Sequence, residues 1–120
     1  MIQVTYDWEH CRMTIEGHAH SAEPGHDLVC AAVSALVYTL AANVRELESG
    51  GKVHFAYARL ESGDAEIGCT PKGKHAALVG CILNAVCVGF EMLARQYPEY
   101  ISYEIHGQRD SEGNPFYAMK

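Results

Sequence analysis

The sequence predicts an α+β domain in which an antiparallel sheet carries two packed helices, in the order strand, strand, helix, strand, strand, helix, strand. Three observations support this prediction. Apolar residues alternate with polar ones in five short segments, they recur at helical spacing in two long segments, and turn residues separate the segments. The length of 120 residues fits a single domain, which we take as residues 1–120.

The first seventeen residues have the pattern of a β-hairpin. Ile2, Val4 and Tyr6 alternate with polar neighbours, which is typical of a strand with one buried face. After a short connection, Met13 and Ile15 continue the alternation in a second strand.

A loop and a long helix are predicted to follow the hairpin. Residues 17–26 contain two glycines, a proline and three histidines without an apolar period, which is typical of a loop. Asp27 is a suitable N-cap, because its carboxylate can accept hydrogen bonds from the first amides of a helix. From Val29 to Leu47, apolar residues recur at three- and four-residue steps, and residues 49–51 end the helix with two glycines.

The second half of the chain repeats the order strand, strand, helix and adds one strand. Alternating apolar residues at 53–57 and 65–69 flank the turn residues 62–64, which predicts a second hairpin. A long apolar segment over residues 76–94 predicts the second helix, and alternation returns at 101–105 in a last strand.

The helix over residues 76–94 is nearly free of polar side chains and approaches the length of about 20 residues that a membrane span needs. Glu91 inside it would be costly in lipid, and no other segment resembles it, so we predict a core helix and no membrane partner. The helix also has more apolar surface than one sheet covers, which favours a homodimer.

Composition excludes some classes of function. Nine Lys and Arg against fifteen Asp and Glu give a net charge of -6, so no basic face is expected for nucleic acid, and basic partners are favoured. The five cysteines are an odd number without a CxxC pair, which argues against a disulfide framework. The N-terminus lacks the pattern of a secretory signal, so we expect the chain in the cytoplasm.

Cys30 is the leading candidate for chemistry, because it falls in the first turn of the first predicted helix. The positive end of the helix dipole and the unpaired amides of that turn favour a thiolate there. His18 lies twelve positions earlier, and the intervening loop is long enough to fold back over the helix. His18 would take the thiol proton and later protonate a leaving amine, while helix amides hold an oxyanion.

Two further residues have supporting roles in this hypothesis. Asp27 is read first as the helix cap and second as an orienter of the histidine. Ser34 lies one turn after Cys30 on the same helical face and can hydrogen-bond toward the site.

The other four cysteines are predicted to be inert. Cys69, Cys81 and Cys87 have apolar neighbours and are expected in the core. Cys11 lies beside the first turn, where we expect it to be exposed and to lack a group that would activate it.

Two alternatives stay open from the residues alone. His18, His20, His26 and Cys30 form a possible four-ligand set for zinc, although their spacing is not a common zinc-finger pattern. A noncatalytic adaptor could instead use the sheet and the dimer surface to bind a basic protein tail.

Three segments together resemble the signature of the bacterial ribosomal-processing cysteine proteases, the Prp family. Residues 17–19 read GHA, residues 25–36 read GHDLVCAAVSAL, and residues 97–101 read YPEYI. The resemblance extends over nearly the whole chain in length and element order.

The resemblance implies a homodimeric endopeptidase that removes a short N-terminal extension from a large-subunit ribosomal protein, the one numbered twenty-seven in bacteria. This cleavage is needed for ribosome assembly. The family's nucleophile corresponds to Cys30 and its general base to His18, and Asp27 and Ser34 fall in the same motif. No metal and no cofactor are implied.

The resemblance further implies that the loop between the histidine and the cysteine is mobile and orders on substrate, with Gly17 and Gly25 as flexible positions. His20 and His26 add two imidazoles to this loop. Which imidazole pairs with the thiol therefore stays open.

Overall fold

Five strands and two long helices follow one another in the predicted order. The computed structural model describes residues 1–17 and 26–107, and residues 26 and 27 by their backbone only. The elements are β1 (Ile2–Asp7), β2 (Arg12–Glu16), α1 (His26–Ser49), β3 (Val53–Glu61), β4 (Asp64–Pro71), a single 3-10 turn (Gly73–His75), α2 (Ala76–Gln96) and β5 (Ile101–His106).

The strands form one sheet in the order β3-β4-β2-β1-β5. Three of its pairs are antiparallel, but β1 and β5 are parallel, with Ile2 opposite Ile101. The prediction of an antiparallel sheet is therefore wrong for this pair. The cause is α2, which crosses over the sheet and returns the chain to the end where β4 began, so that β5 runs in the direction of β4 and of β1.

Both helices cover the same face of the sheet. Alternate strand residues such as Val4, Met13 and Ile67 point toward this face and are buried. Val29 of α1 and Phe90 of α2 are also fully buried in this core. The helix α1 lies over β3 and β4, whereas α2 lies beside α1 and over β5.

Both helices are long and apolar enough, by length and composition alone, to cross a membrane. Each nevertheless contributes buried side chains to the core on the sheet, including Val44 from α1 and Val79 from α2. This packing agrees with the prediction that the segment over residues 76–94 is a core helix.

Candidate active site

A cleft of about 550 Å³ lies at the end of the sheet where β1 begins, against the first turns of α1. Its walls come from three parts of the chain. The first hairpin and the residue after it provide Ile2, Ile15 and Gly17, and α1 provides Cys30, Val33, Ser34, Val37 and Tyr38. The β3–β4 turn and the strand ends beside it provide Leu60, Glu61, Ser62, Gly63, Asp64 and Ala65.

Cys30 is the one cysteine that lines this cleft, and it is half-buried. It is the fifth residue of α1, near the positive end of the helix dipole. Ser34 and Tyr38 follow at steps of four residues, so the three side chains form a row along the cleft face of the helix. A thiol in this place is accessible to a peptide in the cleft.

The start of α1 differs slightly from the prediction. The helix begins at His26, so Asp27 is its second residue rather than its N-cap, and its side chain is outside the described part of the structure. The amides that lack an intrahelical acceptor in such a helix precede Cys30 in the chain.

The structure places some of the predicted site residues together and does not describe others. Cys30, Ser34 and Gly17 all line the cleft. His18 and Gly25 lie outside the described residues, as do the side chains of the remaining two zinc candidates, His20 and His26.

Gly17 has a backbone conformation that requires glycine. Its φ angle is +105°, in a region that other residues rarely adopt, and an added Cβ would overlap the carbonyl oxygen of Met1. Its amide donates a hydrogen bond of 3.0 Å to the carbonyl of Gly63 in the β3–β4 turn. The residue before His18 is thereby attached to the cleft wall.

Charged side chains of the second hairpin lie beside the cleft. Arg59 donates two hydrogen bonds to Asp64, from Nη1 to Oδ2 at 2.7 Å and from Nη2 to Oδ1 at 3.1 Å. Hydrogen bonding to Arg59 holds the pKa of the Asp64 carboxyl below its ordinary value and raises the pKa of the guanidinium. Glu61 and Glu66 each approach Arg59 to 3.6 Å, and Arg12 lies 3.7 Å from Glu66, so the three carboxylates share two cations.

The other thiols are placed away from the cleft. Burial raises the pKa of Cys87 to about 12, and Cys69 is buried too, so both are core residues as predicted. Cys81 is exposed on α2, so the prediction that it is buried is wrong.

Cys11 also differs from its prediction, because it is buried rather than exposed. Cys11 is the last residue of the β1–β2 turn and has a φ angle of 49°. Its carbonyl accepts a 3.1 Å hydrogen bond from the amide of Cys69. A hydrogen bond between the two side chains lowers the pKa of Cys11 and, together with burial, raises that of Cys69.

Among the described residues, one group has the composition of a metal site. Asp7, Glu9 and His10 place their ligand atoms within 4.8 Å of one another at the turn that follows β1. This turn is at the opposite end of β1 from the cleft, so the group is separate from Cys30.

Sequence reasoning did not identify Tyr38, Leu60 or the β3–β4 turn as parts of the site. The spacing of Tyr38, eight residues after Cys30, is a signal that could have placed it on the same helical face. The turn is brought to the cleft by the strand order, which the sequence does not encode locally.

The fold and the cleft thiol are those of a cysteine protease, and the comparisons with known proteins agree. Residues 1–102 match the family model described as cysteine protease Prp. The chain is 32% identical over 104 residues to the ribosomal processing cysteine protease Prp of Mycoplasma pneumoniae. The aligned region covers 87% of this chain and 94% of the relative. The chain belongs to the Prp family of cysteine proteases.

Solved structures show the same fold. SMU.848 from Streptococcus mutans has a TM-score of 0.66 and 30% identity, covering 90% of this chain and 96% of its own. The essential ribosomal processing protease Prp from S. aureus, in complex with a substrate peptide, has a TM-score of 0.62 and 20% identity. The match covers 88% of this chain and 97% of the S. aureus chain.

Proposed function

We propose that this protease removes the N-terminal extension of the bacterial large-subunit ribosomal protein numbered twenty-seven, with Cys30 as nucleophile and His18 as general base. The observation that carries the proposal is the Cys30 thiol, which faces a cleft from the first turns of α1. Cys30 lies in the signature segment at residues 25–36, and His18 lies in the preceding signature segment at residues 17–19.

The proposed reaction has two acyl-transfer steps. His18 takes the thiol proton as Sγ of Cys30 bonds to the scissile carbonyl carbon, and the C–N bond then breaks as His18 protonates the leaving amine. Water attacks the resulting thioester with His18 as base, and the thiol is released. The amides at the start of α1 would stabilise the oxyanion formed in each step.

Charge and the known relatives support a ribosomal substrate. The chain carries a net charge of -6, which attracts a basic protein. The relative from M. pneumoniae is a ribosomal processing protease, and the S. aureus protein is known with a covalently linked product peptide. A covalent link to product is what a thiol nucleophile produces in a protein of this fold.

The test is mass spectrometry of a peptide that spans the N-terminal extension, after incubation with the protein and with Cys30→Ala. We expect one internal cut that persists with a chelator and is lost in the variant. Binding without cleavage by the parent protein would support the adaptor instead, and loss of activity with chelator alone would support the zinc site.

We further propose that the enzyme is a cytoplasmic homodimer. Five thiols without a disulfide suit a reducing compartment. An exposed apolar stripe runs along α2 at alternating steps of three and four residues, and we call it the α2 stripe. It comprises Leu78, Cys81, Ala85, Val88 and Met92. This spacing is that of a helix that packs against another helix.

A further inference from the structure

We infer that the outer edge of β3 binds the substrate as an added strand, so that an extended peptide pairs with the backbone of Ala58 and Leu60 and continues into the cleft. The inference rests on the proposed function, because it assigns a docking surface to the same substrate. It concerns how the peptide is held, which the reaction at Cys30 does not determine.

The direction of the backbone groups along β3 follows from the hairpin. β3 is an edge strand, with only β4 beside it. A two-residue turn joins Glu61 to Asp64, which makes them the closing pair and directs their amides and carbonyls toward each other. Alternation then directs the amides and carbonyls of Ala56, Ala58 and Leu60 away from β4.

One hydrogen bond independently supports this assignment. The amide of Ala56 donates to Oε2 of Glu48 at the end of α1, at 3.0 Å, and therefore points away from β4. Glu48 closes the edge at this position. Within residues 1–17 and 26–107, no hydrogen bond covers the outward amides of Ala58 and Leu60.

The open part of the edge is continuous with the cleft. Leu60 lines the cleft and is 39% exposed, and Tyr38 lies across from it on α1 with 64% of its surface exposed. A peptide paired with Ala58 and Leu60 therefore has one end at the cleft that contains Cys30. Its length beyond Ala58 is limited by Glu48.

The surface also indicates the chemistry of the peptide. Side chains of an added strand alternate between the two faces of the sheet, so every second one points toward α1. There it meets Tyr38 and Leu60, which favour an apolar or aromatic side chain. An unprotected edge promotes aggregation, and natural proteins usually cover or charge such edges, so an opening beside an active site fits a binding role.

The first experiment is an N-methyl scan of the extension peptide, measured as binding to Cys30→Ala, which leaves the peptide intact. Each peptide carries one methylated backbone amide. Because only every second amide of an added strand faces β3, we expect affinity to fall about three- to tenfold at alternate positions and to change little between them. If the loss of affinity does not alternate along the peptide, the inference is overturned, whereas the proposed substrate is unaffected.

The second experiment compares two prolines on the same strand, both in the Cys30→Ala background. Ala58→Pro removes an outward amide that is open to the peptide, whereas Ala56→Pro removes one already bonded to Glu48. Neither change removes a hydrogen bond to β4. We expect Ala58→Pro to weaken peptide binding about three- to tenfold and Ala56→Pro to weaken it less.

The outcomes separate the two hypotheses. Equal weakening by both prolines would indicate general distortion of β3 and overturn the inference. Failure of the unmodified peptide to bind Cys30→Ala, together with no cleavage by the parent protein, would overturn the proposed function. Alternation in the scan with a selective effect of Ala58→Pro supports the added strand.

Discussion

Gly17 donates a 3.0 Å hydrogen bond to the carbonyl of Gly63, and this contact joins the two hairpins at the cleft. Gly17 follows the first hairpin and directly precedes His18, while Gly63 belongs to the β3–β4 turn, and both glycines line the cleft. The path of the chain toward His18 therefore starts from a fixed point on the second hairpin. Both glycines have positive φ angles, so neither tolerates a side chain easily.

Gly17→Ala is expected to lower both stability and activity. The variant forces a side chain into a φ angle of +105° and against the carbonyl of Met1, at a cost of about 1–3 kcal/mol. Gly73→Ala is the matched control, because an added Cβ there meets no atom within 4 Å. Thermal unfolding and peptide cleavage measure both variants. Equal behaviour of the two would contradict a positioning role for Gly17.

Cys30→Ala is expected to abolish turnover and to leave the fold intact. Cys30 is half-buried at the cleft, so truncation creates little cavity and costs less than about 1 kcal/mol. Cys81→Ala is the control, since it removes an exposed thiol on α2 and should retain activity. Circular dichroism and mass spectrometry of the cleaved peptide are the measurements. Cleavage by Cys30→Ala at the rate of the parent protein would exclude Cys30 as the nucleophile.

Local patterns predicted the elements well, but not how distant elements meet. Alternation and helical spacing located the five strands and two helices, and the position of Cys30 at the start of α1 followed from them. The parallel pairing of β5 depends on a crossover by α2, which no local pattern reports. The predictions for the exposure of Cys11 and of Cys81 were wrong for a related reason.

The two cysteines show what local patterns omit. Cys11 is buried because the β1–β2 turn brings it against Cys69 on β4, a contact between distant residues. Cys81 is exposed because α2 is apolar on more than its core side, so an apolar neighbourhood in sequence did not mean burial. Likewise, only the strand order brings residues 60–65 to Cys30.

The three histidines of residues 17–26 are expected to differ in their contribution. His18→Ala should reduce turnover at least about a hundredfold, because general base catalysis contributes about 10²–10⁴. His20→Ala and His26→Ala should retain most activity. Cleavage rates of the three variants test this, and a large loss confined to His26→Ala would reassign the base.

Chelation separates the protease from the zinc alternative. A thiol protease needs no metal, so a chelator should leave its activity unchanged or increase it by removing inhibitory zinc. A site that holds zinc through His18, His20, His26 and Cys30 would lose function instead. The comparison is made on the same peptide, with added zinc as the reverse test.

Asp64 is expected to make the β3–β4 hairpin sensitive to acid. Hydrogen bonding to Arg59 holds its pKa below the ordinary value of 3.8, so the unfolded chain binds a proton more readily than the folded one. The stabilisation is therefore complete above 3.8 and is lost as the pH falls through the lower folded pKa. Because the pair is exposed, added salt should weaken the effect.

Melting temperatures of Asp64→Asn and the parent protein measure this contribution. The difference between them should be largest near neutral pH and should shrink below about pH 4. Glu61→Gln is the control, since its carboxylate lies 3.6 Å from Arg59 without the bidentate geometry. A difference that stays constant with pH would show that Asp64 stabilises the turn by another means.

Val88→Asp is expected to dissociate the proposed dimer. Val88 is 47% exposed in the middle of the α2 stripe, which extends about 21 Å from Leu78 to Met92 at the helical rise. Two copies of the stripe can cover each other about a two-fold axis, and a charge at its centre would then be buried twice without a partner.

Sedimentation velocity across micromolar concentrations provides the measurement, with Ala42→Asp as the control for the same charge on the exposed surface of α1. We expect the parent and Ala42→Asp to sediment as dimers and Val88→Asp as a monomer, with a dissociation constant raised at least about tenfold. A monomeric parent protein would exclude the homodimer, and a dimer unaffected by Val88→Asp would place the interface away from the α2 stripe. Peptide cleavage by monomeric Val88→Asp then decides whether one subunit suffices for the reaction at Cys30.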